Sequence, residues 1–283
     1  MSDLIKTKDE EQRKALNAWA KNKFVGSIIA GTGFGKSRCG VIAVGKTLDN
    51  IEDSRAVVIV PTTQLQEQFK QEFIKWDYEH VLERVDILCY QSAYKLEDEH
   101  YTIVVCDEVH LGLSPEYRKF FENNTFDRLL CMTATPPEDI EYKEILFEMS
   151  PLVYRISLDK CVELGLVSPY EIYCIPVELT ATEQADYKKA NNLFVYYKYK
   201  LGQFDAFDQA RYIMGPGKHA ASNEDKAAAA QFYRAIRNRK AVVDHADNKI
   251  AELQKIVIRN VGEKLLVFGG SNEFTNKLAE ATE

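Results

Sequence analysis

Between positions 30 and 37 the chain reads Ala30-Gly31-Thr32-Gly33-Phe34-Gly35-Lys36-Ser37. Closely spaced glycines let successive backbone N–H groups curl round an anion. A helix opening at Lys36 adds the favourable end of its dipole. On this reading Gly31, Thr32, Gly33 and Gly35 cradle phosphates, Lys36 reaches the β- and γ-phosphates, and Ser37 ligates Mg²⁺. Ala30 stands where the strict pattern has its first glycine. Further on, the apolar run Ile103–Cys106 delivers Asp107, Glu108, Val109 and His110. Asp107 can hold Mg²⁺ through water, and Glu108 can orient and deprotonate an attacking water. His110 can carry a hydrogen bond to a neighbouring element. A third run, Met132-Thr133-Ala134-Thr135-Pro136, offers the hydroxyls of Thr133 and Thr135 as partners for the acidic segment. Together these residues point to binding and hydrolysis of ATP with Mg²⁺.

Such groups need rigid elements to hold them at one edge. The first 170 residues alternate short β-branched runs with helical stretches. Strands are expected at Gly26–Ala30, Ala56–Pro61, Val85–Cys89, Tyr101–Cys106, Arg128–Thr133 and Leu152–Ile156. Helices are expected at Lys36–Thr47, Gln64–Trp76 and Pro115–Asn123. Several strands are almost wholly apolar, which suits a parallel sheet covered on both faces. The alternation implies βαβ units and a doubly wound α/β fold. Residues 181–260 read as helical, interrupted at Gly215-Pro216-Gly217. A strand at Lys264–Gly270 and a helix at Asn272–Ala281 then suggest the opening of a further domain.

The chain has 283 residues and 46% hydrophobic side chains, enough for a sizeable core. No apolar run approaches the roughly 20 residues that span a bilayer. The polar start, Met1–Glu11, lacks the apolar core of a secretory signal. The six cysteines (Cys39, Cys89, Cys106, Cys131, Cys161 and Cys174) form no CxxC pair, so neither a zinc site nor a disulfide framework is expected. Histidines 80, 100, 219 and 245 form no metal-like pair and read as surface or packing residues. A cytoplasmic protein with no membrane partner fits this composition. The net charge of −7 is unevenly spread: residues 181–260 hold 14 Lys+Arg against 9 Asp+Glu. Screening limits electrostatic reach to about 10 Å, so a local basic region can bind phosphates on an acidic chain.

The three motifs, in this order, resemble those of superfamily 2 helicases, with AGTGFGKS at 30–37, DEVH at 107–110 and TATP at 133–136. Other segments follow the family order. Val60–Gln68 is similar to motif Ia, which implies backbone contacts to nucleic acid from Pro61, Thr62 and Gln64. Tyr90-Gln91-Ser92 resembles the next segment of the first lobe and adds Gln91 and Ser92. Gln12, 24 residues before Lys36, resembles the upstream glutamine that reads adenine. Leu266–Ser271 resembles motif IV, which opens the second lobe, and Ser157–Tyr170 is similar to the linker of DNA translocases of the restriction-enzyme, XPB and phage UvsW kind. The resemblance implies a first RecA-like lobe at 1–170, a linker and mainly helical insert at 171–262, and the start of a second RecA-like lobe at 263–283. It further implies an ATP-dependent DNA helicase or translocase acting on single-stranded or branched DNA; a phage-encoded one would work in the host cytoplasm. Motifs V and VI, the second carrying the arginine finger, have no counterpart before Glu283. Weak hydrolysis is therefore expected of this chain alone. Alternatives are an RNA helicase, the motor subunit of a restriction nuclease, and a nucleotide-dependent clamp. Oligomeric state is not readable.

In residues 181–260 basic side chains (Lys188, Lys189, Lys198, Lys200, Arg234, Arg237, Arg239 and Lys240) interleave with Tyr187, Tyr196, Tyr197, Tyr199 and Tyr212. Two readings stand. One is a helical insert gripping nucleic acid through phosphates and stacked bases. The other is an amphipathic helical pair with an aromatic core and a solvated basic face.

Overall fold

A computed structural model describes residues 3–215 and 221–282. The chain divides into two compact units, Met1–Glu171 and Ile172–Glu283.

In the first unit, helices α1 (Asp3–Lys21), α2 (Lys36–Asn50), α3 (Thr63–Lys75), α4 (Tyr90–Ala93), α5 (Lys119–Asn123), α6 (Ile140–Met149) and α7 (Leu158–Glu163) accompany six strands. These are β1 (Val25–Ala30), β2 (Ala56–Val60), β3 (Val85–Cys89), β4 (His100–Cys106), β5 (Thr125–Thr133) and β6 (Leu152–Ile156). They form one sheet in the order β3-β2-β4-β5-β1-β6, every pair parallel. This is the doubly wound α/β architecture expected from the strand–helix alternation. All five residues of β2 are buried, as are Ile103–Cys106 of β4, because the central strands are covered on both faces. Each such Val or Ile contributes about 1.5–3 kcal/mol on leaving water. One apolar cluster joins α1, α2 and α3 to one face of the sheet; a second, around Tyr101, Phe120 and Leu146, covers the other. Trp19 ties α1 to the sheet by donating from Nε1 to the Leu129 carbonyl at 2.8 Å.

Register matters most for function. Ile29 pairs with Thr133, Cys106 with Cys131, Ile59 with Cys106, and Val60 with Cys89. These five strands therefore end within about three residues of one another, and the segments that follow them share the carboxyl edge, where open α/β sheets bind ligands.

The second unit contains α8 (Ala181–Lys200), α9 (Ala206–Met214), α10 (Asn223–Asp244), α11 (Asn248–Arg259) and α12 (Asn272–Glu280). Thr180 and Glu183 form a capping box that starts α8. Phe232 and the half-buried Phe194 pack with Leu201, Ala206, Ala210, Ala228 and Ala229 to form the α8–α9–α10 interior, and the exposed Phe207 meets Phe232 at its margin. Farther along, His245 stacks on Phe274 at 5.4 Å and shares a 2.8 Å hydrogen bond with Ser271.

Two expectations need correction. Lys264–Gly270 is not a strand: the segment is irregular, and Leu266 and Phe268 are exposed. A strand is stabilised by neighbours, and this run has none among the described residues. The helix expected over Pro115–Asn123 is regular only from Lys119, after a turn braced by Ser114 Oγ accepting from the Tyr117 amide. Gly215 follows α9, whereas Pro216, Gly217 and His219 lie outside the described residues. His80 and His100 sit at the surface beside Asp49 and Asp127, respectively.

Candidate active site at the carboxyl edge of the sheet

The loop between β1 and α2 takes its shape from two glycines with left-handed backbones, Gly33 at φ 89° and Gly35 at φ 88°. A Cβ at Gly35 would also lie 2.4 Å from Gln12 Nε2. The loop is anchored at its centre by Phe34, which is buried and packs against Tyr154 at 5.9 Å. Thr32 and Gly33 face solvent, while Gly31, Gly35, Lys36 and Ser37 are half-buried. Lys36 donates from Nζ to the Ala30 carbonyl at 3.0 Å and lies 3.9 Å from Glu108 Oε1. Lys36 and the acidic segment that begins 71 residues later at Asp107 thus meet across the ends of β1 and β4.

Asp107 follows β4 directly, its amide donating to the Ile59 carbonyl at 2.8 Å. Burial and the neighbouring Glu108 carboxylate push its carboxyl up to about 6, against the pull of Lys36 and the Glu108 amide. Glu108 holds a left-handed backbone, φ 46°, which is uncommon outside glycine and aims its side chain back over the sheet edge. There Glu108 Oε2 accepts from Thr133 Oγ1 at 3.0 Å. His110 Nδ1 is also 3.0 Å from Thr133 Oγ1, and the Thr135 amide donates to the same oxygen at 3.2 Å. A hydroxyl has one proton, so Thr133 donates to Glu108, to the Thr135 carbonyl 2.9 Å away, or to His110 Nδ1 in the tautomer that leaves that nitrogen unprotonated. This single proton links the two motifs.

Residues 9–100 match the DEAD/DEAH box helicase family. That match lies within the first unit. No curated protein matches the chain. Among solved structures, the UvsW helicase from bacteriophage T4 is 16% identical over 52% of this chain and 58% of that one, with a TM-score of 0.42. The Hef helicase domain of Pyrococcus furiosus is 13% identical over 94% and 77%, with a TM-score of 0.48. The Sulfolobus solfataricus SWI2/SNF2 ATPase core, solved in complex with double-stranded DNA, is 17% identical over 98% and 63%, with a TM-score of 0.41. The chain spans less than two thirds of the UvsW and SWI2/SNF2 chains.

The other expected residues fall on neighbouring strand ends. Pro61 and Thr62 follow β2, and Gln64 lies in the first turn of α3, which Thr62 caps by accepting from the Leu65 amide. Gln91 and Ser92 follow β3, which pairs with β2, and are exposed. The sheet order therefore gathers Pro61, Thr62, Gln64, Gln91 and Ser92 at one side of the edge. Gly31–Ser37, Asp107–His110 and Thr133–Thr135 occupy the ends of β1, β4 and β5.

Gln12 lies at the phosphate loop but is wholly engaged by protein. It is 2% exposed, donates from Nε2 to the Phe34 carbonyl at 2.7 Å and accepts at Oε1 from Arg38 at 2.8 Å. Arg38 also pairs with Asp9 and lies 4.0 Å over the Trp76 ring. These residues line a cavity of about 670 Å³ with Lys8, Glu72 and Lys75, beside Gly35 and Ser37.

Two contributors escape a motif reading. Arg38 directly follows the phosphate-loop motif, and only the packing shows that it fixes Gln12. Tyr90 belongs to the 90–92 segment, yet its buried hydroxyl donates to the Asp107 carbonyl at 2.9 Å. Its ring fills the space over Gly112, where a Cβ would lie 2.5 Å away. The glycine in the turn after the DEVH residues was the available signal.

Proposed function

We propose that this chain is an ATP-dependent DNA helicase or translocase, with the phosphate loop and the Asp107–His110 segment as its hydrolytic centre. The observation that carries the reading is the Lys36–Glu108 approach at 3.9 Å across the carboxyl edge of the sheet. Gly31, Thr32, Gly33 and Gly35 supply amides for the phosphates. Lys36 exchanges its Ala30 carbonyl for a phosphate oxygen, and Glu108 orients and deprotonates water. Ser37 and Asp107 fit a magnesium ion: Asp107 is a half-buried acid beside a second acid, an arrangement a divalent cation relieves. Among the described residues no cluster of three or more His, Cys, Asp or Glu side chains stands ready for a metal, so phosphate and water would complete the shell. When bound, the ion neutralises charge on the phosphates.

Thr133 and His110 act as the coupling pair. Loss of the γ-phosphate changes what Glu108 must balance, and Thr133 answers by moving its proton between Glu108 and the Thr135 carbonyl. Pro61, Thr62, Gln64, Gln91 and Ser92 are the proposed backbone contacts to DNA, exposed or half-buried on the adjoining strand ends. Residues 263–283 are read as the opening of a second lobe, supported by an apolar run, Leu265–Phe268, that is exposed here. Free cysteines throughout the described residues and the lack of any helix apolar enough to cross a membrane among them support a cytoplasmic role.

Phosphate release with single-stranded DNA, duplex DNA and RNA tests the proposal. Stimulation by DNA that Glu108→Gln abolishes, with ATP still bound, is expected. Stimulation by RNA alone would reassign the substrate. A Glu108→Gln protein as active as the parent would remove the hydrolytic centre.

A further inference from the structure

The helical unit sorts its aromatic side chains into two sets. Phe232 and the half-buried Phe194 form the interior, 5.5 Å apart, and Phe207, 54% exposed, meets Phe232 edge-on at its margin, 5.1 Å away. Arg239 belongs with them: it covers Phe194 at 4.3 Å and donates to Asn191 at 3.2 Å. Tyr187 and Tyr197 are half-buried on the same side of α8, in a seam that runs through Ala190 and Phe194 to Leu201. This much is the ordinary core of a helical pair.

Tyr196 and Tyr199 are not part of it. They are 60% and 62% exposed, and Phe204, in the turn after α8, is 89% exposed. A single exposed ring needs no explanation. Two large rings one helical turn apart, away from the seam, on a helix rich in lysine, form a pattern. From Tyr187 to Lys200 the helix carries Lys188, Lys189, Lys198 and Lys200 and no acid. Its two acids, Glu183 and Asp186, lie nearer the start, where Glu183 is taken up by the capping box. Lys200 is paired with Glu224 at 2.7 Å; Lys188 and Lys189 are exposed on the outer side. At about 1.5 Å of rise per residue, Lys189 lies roughly 10 Å along the axis from Tyr196, and the two tyrosines are about 4.5 Å apart. That places cations and rings at separations matching a few nucleotides of an extended strand.

We propose that the outer face of α8 is a platform for an unpaired nucleic-acid strand. Bases stack on Tyr196 and Tyr199, Phe204 extends the apolar surface, and Lys188 and Lys189 neutralise phosphates. The positive charge selects a polyanion. The exposed rings select one whose bases are free to stack, which a duplex withholds. The platform rests on the functional reading above and adds the segment that holds the strand.

The test is fluorescence anisotropy of the full chain with a labelled oligothymidylate of about 20 nucleotides, its uridylate counterpart and a duplex of equal length, over a range of salt. Replacing Tyr196 and Tyr199 together by alanine is expected to weaken single-strand binding at least tenfold, on deoxyribose and ribose strands alike. Duplex affinity, nucleotide binding and the unfolding midpoint should be unchanged, because both rings are exposed. The double phenylalanine variant, which keeps the rings, should bind like the parent. Lys188→Ala with Lys189→Ala should shallow the single-strand salt slope by about 1.4, two phosphates at about 0.7 each. Unaltered single-strand affinity in the alanine variant overturns the platform, as does an equal loss on duplex or a phenylalanine variant as weak as alanine. A parent that binds no nucleic acid overturns the functional reading itself. A parent that binds, with both variants unaffected, overturns the platform alone.

Discussion

Replacing Gln12 by alanine separates two roles that the motif leaves fused. The resemblance makes this residue a reader of adenine; the structure makes it a brace. Its Nε2 donates to the Phe34 carbonyl at 2.7 Å and reaches the Gly35 carbonyl at 3.4 Å, while Arg38 donates to its Oε1 at 2.8 Å. Alanine leaves the Phe34 carbonyl without this donor. Phe34 is itself buried, so the carbonyl cannot swing freely to water. The penalty for such an orphaned group is about 1–3 kcal/mol. If it is expressed as loop conformations that no longer cradle phosphate, affinity falls by roughly fivefold to 150-fold. A brace acts on the phosphate end, so ATP, GTP and inorganic tripolyphosphate should all lose the same factor. Competition of each against a fluorescent nucleotide, with parent and Gln12→Ala side by side, reads this directly. A loss confined to ATP would refute the brace and restore the reader. No loss for any ligand would refute both.

Three further outcomes follow from the packing. Gly45→Ala sits inside α2, where alanine normally gains about 1 kcal/mol, yet its Cβ would lie 2.0 Å from the Tyr78 ring. Overpacking should win, with a net loss of about 1–3 kcal/mol in urea melts; a stabilised variant would contradict the register of α2 against Tyr78. Tyr90→Phe removes the hydroxyl bonded to the Asp107 carbonyl and should lower stability by about 1 kcal/mol while reducing nucleic-acid stimulation of hydrolysis more than its basal rate. Equal loss of both rates would limit Tyr90 to packing. Hydrogen bonds from Lys14 and Tyr154 hold the Glu11 carboxyl below its usual 4.5. A carboxyl lowered in the folded state stabilises above the unfolded value, and that contribution fades as pH falls through the folded one. The stability advantage of the parent over Glu11→Gln should therefore be present at neutral pH and fade progressively in melts as pH falls below about 4.5; an advantage that grows on acidification would reverse the sign.

The sheet was legible because its strands are uninterrupted apolar runs of β-branched residues, and only a two-faced parallel sheet buries such runs as Ala56–Val60 and Ile103–Cys106. The turns of the 31–37 loop were legible from its glycines, because a left-handed backbone favours glycine at Gly33 and Gly35. What a motif does not encode is the far partner of a side chain. Nothing in the spelling of Tyr90 points to a carbonyl 17 residues on, or of Gln12 to a carbonyl 22 residues on. Arg239 looked like its basic neighbours but is spent on Phe194 and Asn191, since a guanidinium stacks as readily as it pairs. The Lys264–Gly270 run has strand composition without strand neighbours, and composition alone cannot supply them.

Everything proposed for the sheet edge depends on a nucleoside triphosphate lying against the 31–37 loop with Lys36 on its phosphates. Titration of a fluorescent ATP analogue into parent and Lys36→Ala protein measures this most directly. The account predicts saturable, magnesium-dependent binding by the parent and a loss of at least tenfold in the variant, with unfolding midpoints nearly unchanged. Equal affinity in the two proteins would contradict it.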